Sequence, residues 1–186
     1  MNREVLEERL AELEKTQKDF WNVSRATGNF LNMLVKMRGA KRVLEIGTSN
    51  GYSGLWFLSA LETTGGHLTT IEYYDKRQSI ARKNYDECGF GGMYTGLLGS
   101  ATDLIKALDE DEKFDFVFID ANKREYVEYF ELIKPHLLPN AVITADNITS
   151  HREKVQTFLD AVYADEDFQT EILDLPAGLS VSYKLS

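Results

Sequence analysis

The sequence predicts an α/β fold: a doubly wound, mainly parallel sheet of seven strands that ends in an antiparallel hairpin. Three observations predict it. Short apolar runs alternate with helix-period segments from residue 43 to residue 164. The run Phe114–Ile119 (FDFVFI) is almost unbroken, as in a central strand covered on both faces. After Pro176-Ala177-Gly178, Leu179, Val181, Tyr183 and Leu185 alternate with Ser180, Ser182 and Lys184, which is period two behind a turn. With 186 residues, 43% of them hydrophobic, and three prolines, the chain suits one packed domain over residues 1–186. Residues 1–40 form N-terminal helices in this reading, and residues 41–186 form the core.

Taken in order, residues 4–20 carry Leu6, Leu10, Leu13 and Phe20 in an otherwise charged stretch, the pattern of one amphipathic helix. Ser24 or Thr27 caps a second helix that packs through Phe30, Leu31, Leu34, Val35 and Met37 and stops at Gly39. These helices cover the sheet or pair with a second subunit, and a homodimer is the expected assembly. Val43, Leu44 and Ile46 then form a strand, Gly47–Gly51 a turn, and SGLWFLSAL a helix. Strands follow at residues 67–72, 93–98, 114–119 and 141–145, with helices at 75–88, 102–108 and 125–137, Pro135 marking the last turn of the third. A helix over 153–164 leads to the hairpin of 168–175 and 179–185. Such alternation requires right-handed crossovers and places ligands at the carboxyl ends of the strands.

Composition removes several function classes. One cysteine, Cys88, excludes an internal disulfide, and His67, His136 and His151 stand at no ligand spacing, so neither an oxidising compartment nor a zinc site is indicated. The charged N-terminal stretch lacks the apolar segment of a signal peptide, and no apolar run approaches membrane-spanning length, so a cytoplasmic chain is expected. A net charge of −9 gives no general attraction to nucleic acid.

The turn after the first strand reads VLEIGTSNGYSG. Glycines there let a ligand approach, and the first N–H groups of the following helix suit an anion. A dinucleotide fingerprint has GxGxxG, whereas Gly47, Gly51 and Gly54 give GxxxGxxG with Glu45 two residues before the first glycine. An acid at that point is poorly placed beside a pyrophosphate and well placed to accept from a cationic amino-acid ligand, which favours S-adenosylmethionine. Glu72 ends the second strand, where a carboxylate can accept both ribose hydroxyls of an adenosine. Asp120 ends FVFID, and Asp146 with Asn147 ends ITADN. If those strands are neighbours, two carboxylates and an amide converge as a hard-cation site with room for waters or a chelating substrate. Lys123, three residues past Asp120, faces the same pocket; beside a divalent cation its ammonium is disfavoured, which makes it a usable base.

Five motifs in order, VLEIGTSNGYSG, IEYY (71–74), GSA (99–101), FVFIDANK (116–123) and ADN (145–147), resemble those of the cation-dependent O-methyltransferases, the group of the catechol and caffeoyl-CoA enzymes. The match runs from about Val23 to the hairpin. It implies a Rossmann-like class I methyltransferase fold. S-adenosylmethionine would be bound by Val23, by the loop with Glu45, Gly47, Ser49, Gly51 and Ser53, and by Glu72, Tyr73, Ser100, Ala101 and Asp120. Mg²⁺, or another divalent cation such as Mn²⁺ or Ca²⁺, would be held by Asp120, Asp146 and Asn147. The resemblance also implies a small hydroxylated, aromatic acceptor chelated through two neighbouring oxygens, Lys123 and Asp120 as catalytic residues, and Ser53 meeting the carboxylate of the cofactor.

The departures bear on the acceptor. Ser49 stands where the family often has tyrosine, and only 39 residues follow Asn147, so a shortened lid is expected. No counterpart is evident for the acid that positions the second hydroxyl in the catechol enzyme. Two rival readings keep the fold: a tRNA-modifying methyltransferase using Lys76, Arg77, Arg82 and Lys83 as a phosphate-binding face, and an NAD-binding or non-catalytic Rossmann module.

Overall fold

The computed structural model describes residues 3–185. Its seven strands are β1 (Arg42–Ile46), β2 (His67–Glu72), β3 (Tyr94–Leu98), β4 (Phe114–Ile119), β5 (Leu137–Ala145), β6 (Phe168–Leu173) and β7 (Leu179–Lys184). They form one sheet in the order β3-β2-β1-β4-β5-β7-β6. Neighbours among the first five are parallel, and β7 is antiparallel to both β5 and β6. The doubly wound α/β class with a C-terminal antiparallel pair is therefore the architecture observed. The order reverses at β1 beside β4, the switch point where ligands bind in such sheets.

β4 explains why the sheet is covered on both sides. All six of its residues are buried. Phe116 and Phe118 belong to one core layer, Val117 and Ile119 to the other, because successive side chains of a strand point to opposite faces. Phe57 of α4 (Tyr52–Thr64) packs 5.9 Å from Phe116 and 5.4 Å from Phe118, ring centre to ring centre. On the other face the rings of Phe130 and Phe158 stand 6.0 Å apart, on α7 (Tyr126–Ile133) and α8 (Arg152–Ala164). Each buried phenylalanine contributes about 1.5–3 kcal/mol relative to exposure. Asp115 breaks the apolar run and is nonetheless buried; its carboxylate accepts from the N–H groups of Lys41 and Arg42 at 2.8 and 3.0 Å, fixing where β1 begins beside β4.

The N-terminal region differs from one continuous helix. α1 (Arg3–Glu14) stops at Lys15-Thr16, a single turn α2 (Gln17–Phe20) follows, and Trp21 takes the left-handed conformation (φ 56°). The break is held from below, since the Asn22 amide and the Thr16 hydroxyl both donate to the Leu13 carbonyl. Ser24 caps α3 (Arg25–Arg38) by accepting from the Thr27 N–H, so of the two expected caps Ser24 is the one used. Leu6, Leu10, Leu13, Leu31 and Val35 are buried against α4, whereas Met37, expected to pack, is 78% exposed.

Two further boundaries moved. Pro135 places Lys134–His136 in a 3₁₀ turn, and the residues after it already pair with β4, so β5 begins at Leu137 and bulges before Val142. α5 (Asp75–Glu87) and α6 (Ala101–Lys106) lie where helices were expected.

Candidate active site

A cavity of about 560 Å³ opens at the carboxyl ends of β1, β2 and β4, a size typical of small-molecule sites. Nine of the eleven residues expected to contact a cofactor line it: Val23, Gly47, Ser49, Ser53, Glu72, Tyr73, Ser100, Ala101 and Asp120. Lys123 lines it as well.

Glu45 and Gly51 do not line the cavity, and the reasons are physical. Glu45 is wholly buried behind the wall, where its two oxygens accept from the hydroxyls of Ser53 and Thr70. Burial pushes this carboxyl up to about 8; the two hydroxyl hydrogen bonds oppose the rise, and the charges of Asp120 and Glu72 add to it. Glu45 therefore touches the cavity only through Ser53, and the Ser53 hydroxyl faces back toward Glu45. Gly51 starts α4 at φ 88°, and a Cβ there would meet the Tyr85 ring at 2.7 Å. The reason for Gly47 also changes: its φ is 108° and a Cβ would come 2.1 Å from the Asp120 carbonyl, so the glycine admits the backbone of β4 rather than a ligand.

Glu72 is held as a ready acceptor. One carboxylate oxygen takes the Ser49 N–H at 2.8 Å, the other the Tyr74 N–H at 2.9 Å, and the residue is almost fully buried at the cavity wall. Each oxygen keeps a lone pair for a further donor.

On the opposite wall the register pairs Ile119 with Ala145, which makes Asp120 and Asp146 the next residues of adjacent strands. The Lys123 ammonium donates to Asp120 Oδ1 at 2.7 Å and to the Ala121 carbonyl at 3.1 Å. Asp146 and Asn147 sit at the end of β5 beside the cavity but outside its lining. Asp146 is buried, and its Oδ1 has no hydrogen-bond partner. Burial first, and then the neighbouring Asp120 carboxylate, push Asp146 up to about 7. Asn147 takes φ 64° and directs its amide nitrogen to Ser150 at 3.4 Å, which leaves its carbonyl oxygen unengaged. Among the described residues no group of three or more histidine, cysteine or carboxylate side chains is placed to hold a metal ion, so any cation here would rest on two carboxylates and an amide.

Residues 2–175 match the O-methyltransferase family. The chain belongs to that family. A catechol O-methyltransferase of Niastella koreensis is 39% identical over 129 residues, covering 68% of this chain and 58% of that protein. The chain spans about half the length of the curated relatives it matches. The O-methyltransferase of Bacillus cereus, solved in complex with SAH, superposes with a TM-score of 0.86 at 30% identity over 99% of this chain and 92% of that one. The Streptomyces achromogenes O-methyltransferase TomG, involved in tomaymycin synthesis and solved with SAM, gives 0.85 at 26% identity over 100% and 92%.

Several lining residues of this family member escaped the sequence reading. Phe20, Trp21 and Asn22 cross the mouth, with the Ser49 hydroxyl donating to the Phe20 carbonyl at 2.9 Å. Arg77 and Glu125 also face in. Only a lone aromatic between two helices marked Trp21, and no periodicity marks Arg77. Of the four basic residues weighed as a phosphate face, two are engaged within the protein: Arg82 donates to the Gly96 carbonyl and Lys83 pairs with Glu87. Among the described residues no helix is long and apolar enough to cross a membrane.

Proposed function

We propose that this chain transfers a methyl group from S-adenosylmethionine to one hydroxyl of a small catechol-like or vicinal-diol acceptor, with a divalent cation such as Mg²⁺ at Asp120, Asp146 and Asn147. The observation that carries the reading is the unpartnered, buried Asp146 Oδ1 beside a second carboxylate, next to a cavity lined by Ser49, Ser53 and Glu72. A buried acceptor without a donor costs about 1–3 kcal/mol, and a cation removes that cost and the repulsion from Asp120 together. Two carboxylates and an amide carbonyl are the hard oxygen donors such a cation takes. When bound, the metal supplies Lewis acidity and S-adenosylmethionine supplies the methyl.

The other steps belong to the chain's own residues. Glu72 accepts the ribose hydroxyls, with Ser49 and Tyr74 holding its carboxylate in place. The first N–H groups of α4, near Ser53, receive the carboxylate of the donor. Lys123 takes the proton of the reacting hydroxyl, and Asp120, tied to it at 2.7 Å, sets where its nitrogen stands. Phe20–Asn22 across the mouth keep water from the reacting pair. Methyl transfer to a panel of catechols, measured with Mg²⁺ and with EDTA, tests the reading: turnover that requires the cation supports it, and undiminished turnover in EDTA removes the metal from it.

A further inference from the structure

Two cations line the cavity, Lys123 and Arg77. Lys123 is ion-paired to Asp120. The backbone N–H of Arg77, in the first turn of α5, donates to the Tyr74 carbonyl at 3.0 Å, while its side chain makes neither an ion pair nor a hydrogen bond to any described residue. Its guanidinium is instead stacked by aromatic rings, with its centre 5.0 Å from that of Trp21 and 5.5 Å from that of Tyr74. Stacking fixes the plane of the fork and leaves its N–H edges free. Glu72, Asp120 and Glu125 line the same cavity, but their carboxylates are held by other donors, Glu72 by Ser49 and Tyr74, Asp120 by Lys123, and Glu125 by Asn122 and Tyr129, and none of them pairs with Arg77.

The clamp is built rather than incidental. Trp21 holds a left-handed backbone conformation that is uncommon for a bulky residue, and it is 74% exposed, so burial does not hold the ring there. The Ser49 hydroxyl ties the neighbouring Phe20 carbonyl to the glycine turn. In this position the Trp21 ring lies against the Arg77 guanidinium.

We propose that Arg77 is a specificity-determining residue that binds an anionic group, a carboxylate, on the methyl acceptor, so that the preferred acceptors are acidic diols rather than neutral ones. This rests on the diol-methylation reading above and adds the class of substrate to it. A planar guanidinium edge matches the two oxygens of a carboxylate, and charge-assisted hydrogen bonds of this kind are the strong ones.

The test is equilibrium binding by calorimetry in the presence of Mg²⁺ and S-adenosylhomocysteine. The probes are 3,4-dihydroxybenzoate and caffeate, which differ in the reach between diol and carboxylate, and the neutral primary amide of each. The wild-type chain should bind at least one acid about tenfold more tightly than its amide. Arg77→Gln should abolish that preference while leaving the amides and S-adenosylhomocysteine within about twofold, and Lys76→Gln, a change on the same helix outside the cavity lining, should keep the preference. Equal binding of acid and amide by the wild-type chain would overturn the proposal alone. So would an Arg77→Gln variant that loses S-adenosylhomocysteine or both kinds of probe together, since Arg77 would then serve the cofactor or the mouth segment. A loss in Lys76→Gln equal to that in Arg77→Gln would assign the effect to general charge and overturn it too. If no probe binds although S-adenosylhomocysteine does, the diol reading fails with it.

Discussion

Along the β1–β2 wall of the cavity every carboxylate oxygen has a donor from the protein, whereas along the β4–β5 wall two carboxylates stand side by side with one lysine near them. Glu45 takes hydroxyls from Ser53 and Thr70, and Glu72 takes N–H groups from Ser49 and Tyr74. Asp120 has Lys123, and Asp146 Oδ1 has no partner. The first wall is thus complete without a ligand and presents fixed acceptors, which suits recognition of neutral hydroxyls. The second sets two carboxylates beside one lysine in a poorly hydrated place, which pushes the Asp146 carboxyl up, and either a proton or an added cation relieves it. Substitutions that act on one wall alone break or sharpen this contrast.

The largest effect belongs to the unbalanced wall. Asp120→Ala and Asp146→Ala should each lower cation-dependent methyl transfer by about a thousandfold or more, the equivalent of the several kcal/mol a Lewis acid contributes. S-adenosylhomocysteine binding should persist in both variants, because the opposite wall is untouched. Asp146→Asn separates function from fold. Its carboxyl is raised to about 7, so above that pH the native state carries a charge it disfavours, and the isosteric amide relieves it. Melting of the cation-free variant at pH 8 should therefore be no lower than that of the wild type while turnover is lost. Asp109→Ala, on an exposed turn, is the control and should change little.

Lys123→Ala comes next. Removing a positioned base costs about a hundredfold or more, with partial recovery at high pH as solvent hydroxide replaces it. Binding of both S-adenosylhomocysteine and Mg²⁺ should survive. A variant with unaltered turnover would return Lys123 to a structural ion pair with Asp120.

On the complete wall the effects are smaller. Glu72→Gln keeps the shape of the side chain and weakens its charge-assisted hydrogen bonds, so S-adenosylhomocysteine affinity should fall about tenfold. Calorimetric affinity equal to that of the wild type would leave Glu72 as no more than an anchor for the Ser49–Tyr74 loops.

How much of this was legible in the chain follows from which signals are local. Strand and helix alternation is a property of neighbours in sequence, so the sheet, its central strand and its closing hairpin could all be read. Acids at strand ends could be read too, because parallel topology sends every such end to one edge, and Asp120 and Asp146 meet as expected. What could not be read was which way a strand residue faces across the layer. Glu45 looked like a ligand contact because it precedes a glycine turn; in the folded chain it points into the packed layer beside Thr70, and only Ser53 reaches the cavity. Gly47 and Gly51 were likewise recognisable as turn glycines, but their neighbours, the Asp120 carbonyl and the Tyr85 ring, come from distant segments. Trp21 and Arg77 meet only because the N-terminal helix breaks at Thr16, a break that the apolar period through Phe20 concealed.

The smallest effect tests that correction. The Glu45 carboxyl is raised from an ordinary 4.5 to about 8 by burial, so the native state prefers the protonated form more than the unfolded chain does. The sign follows: stability from this group is fully present below about pH 4.5, declines as pH rises, and is lost once the pH passes about 8. Glu45→Gln, which cannot ionise and can still meet the Ser53 and Thr70 hydroxyls, should flatten that decline. Melting curves of the ligand-free chains at pH 5, 7 and 8.5 should show the variant gaining on the wild type by a few degrees across the series, as expected for a domain in which about 1 kcal/mol moves the midpoint by about 2–4 °C. The same variant should lose S-adenosylhomocysteine affinity only modestly, because Glu45 acts on the cavity through Ser53. A collapse of cofactor binding in Glu45→Gln, with no change in the slope of melting against pH, would restore Glu45 to direct contact with the ligand and erase the distinction between a carboxylate behind the wall and one at its surface.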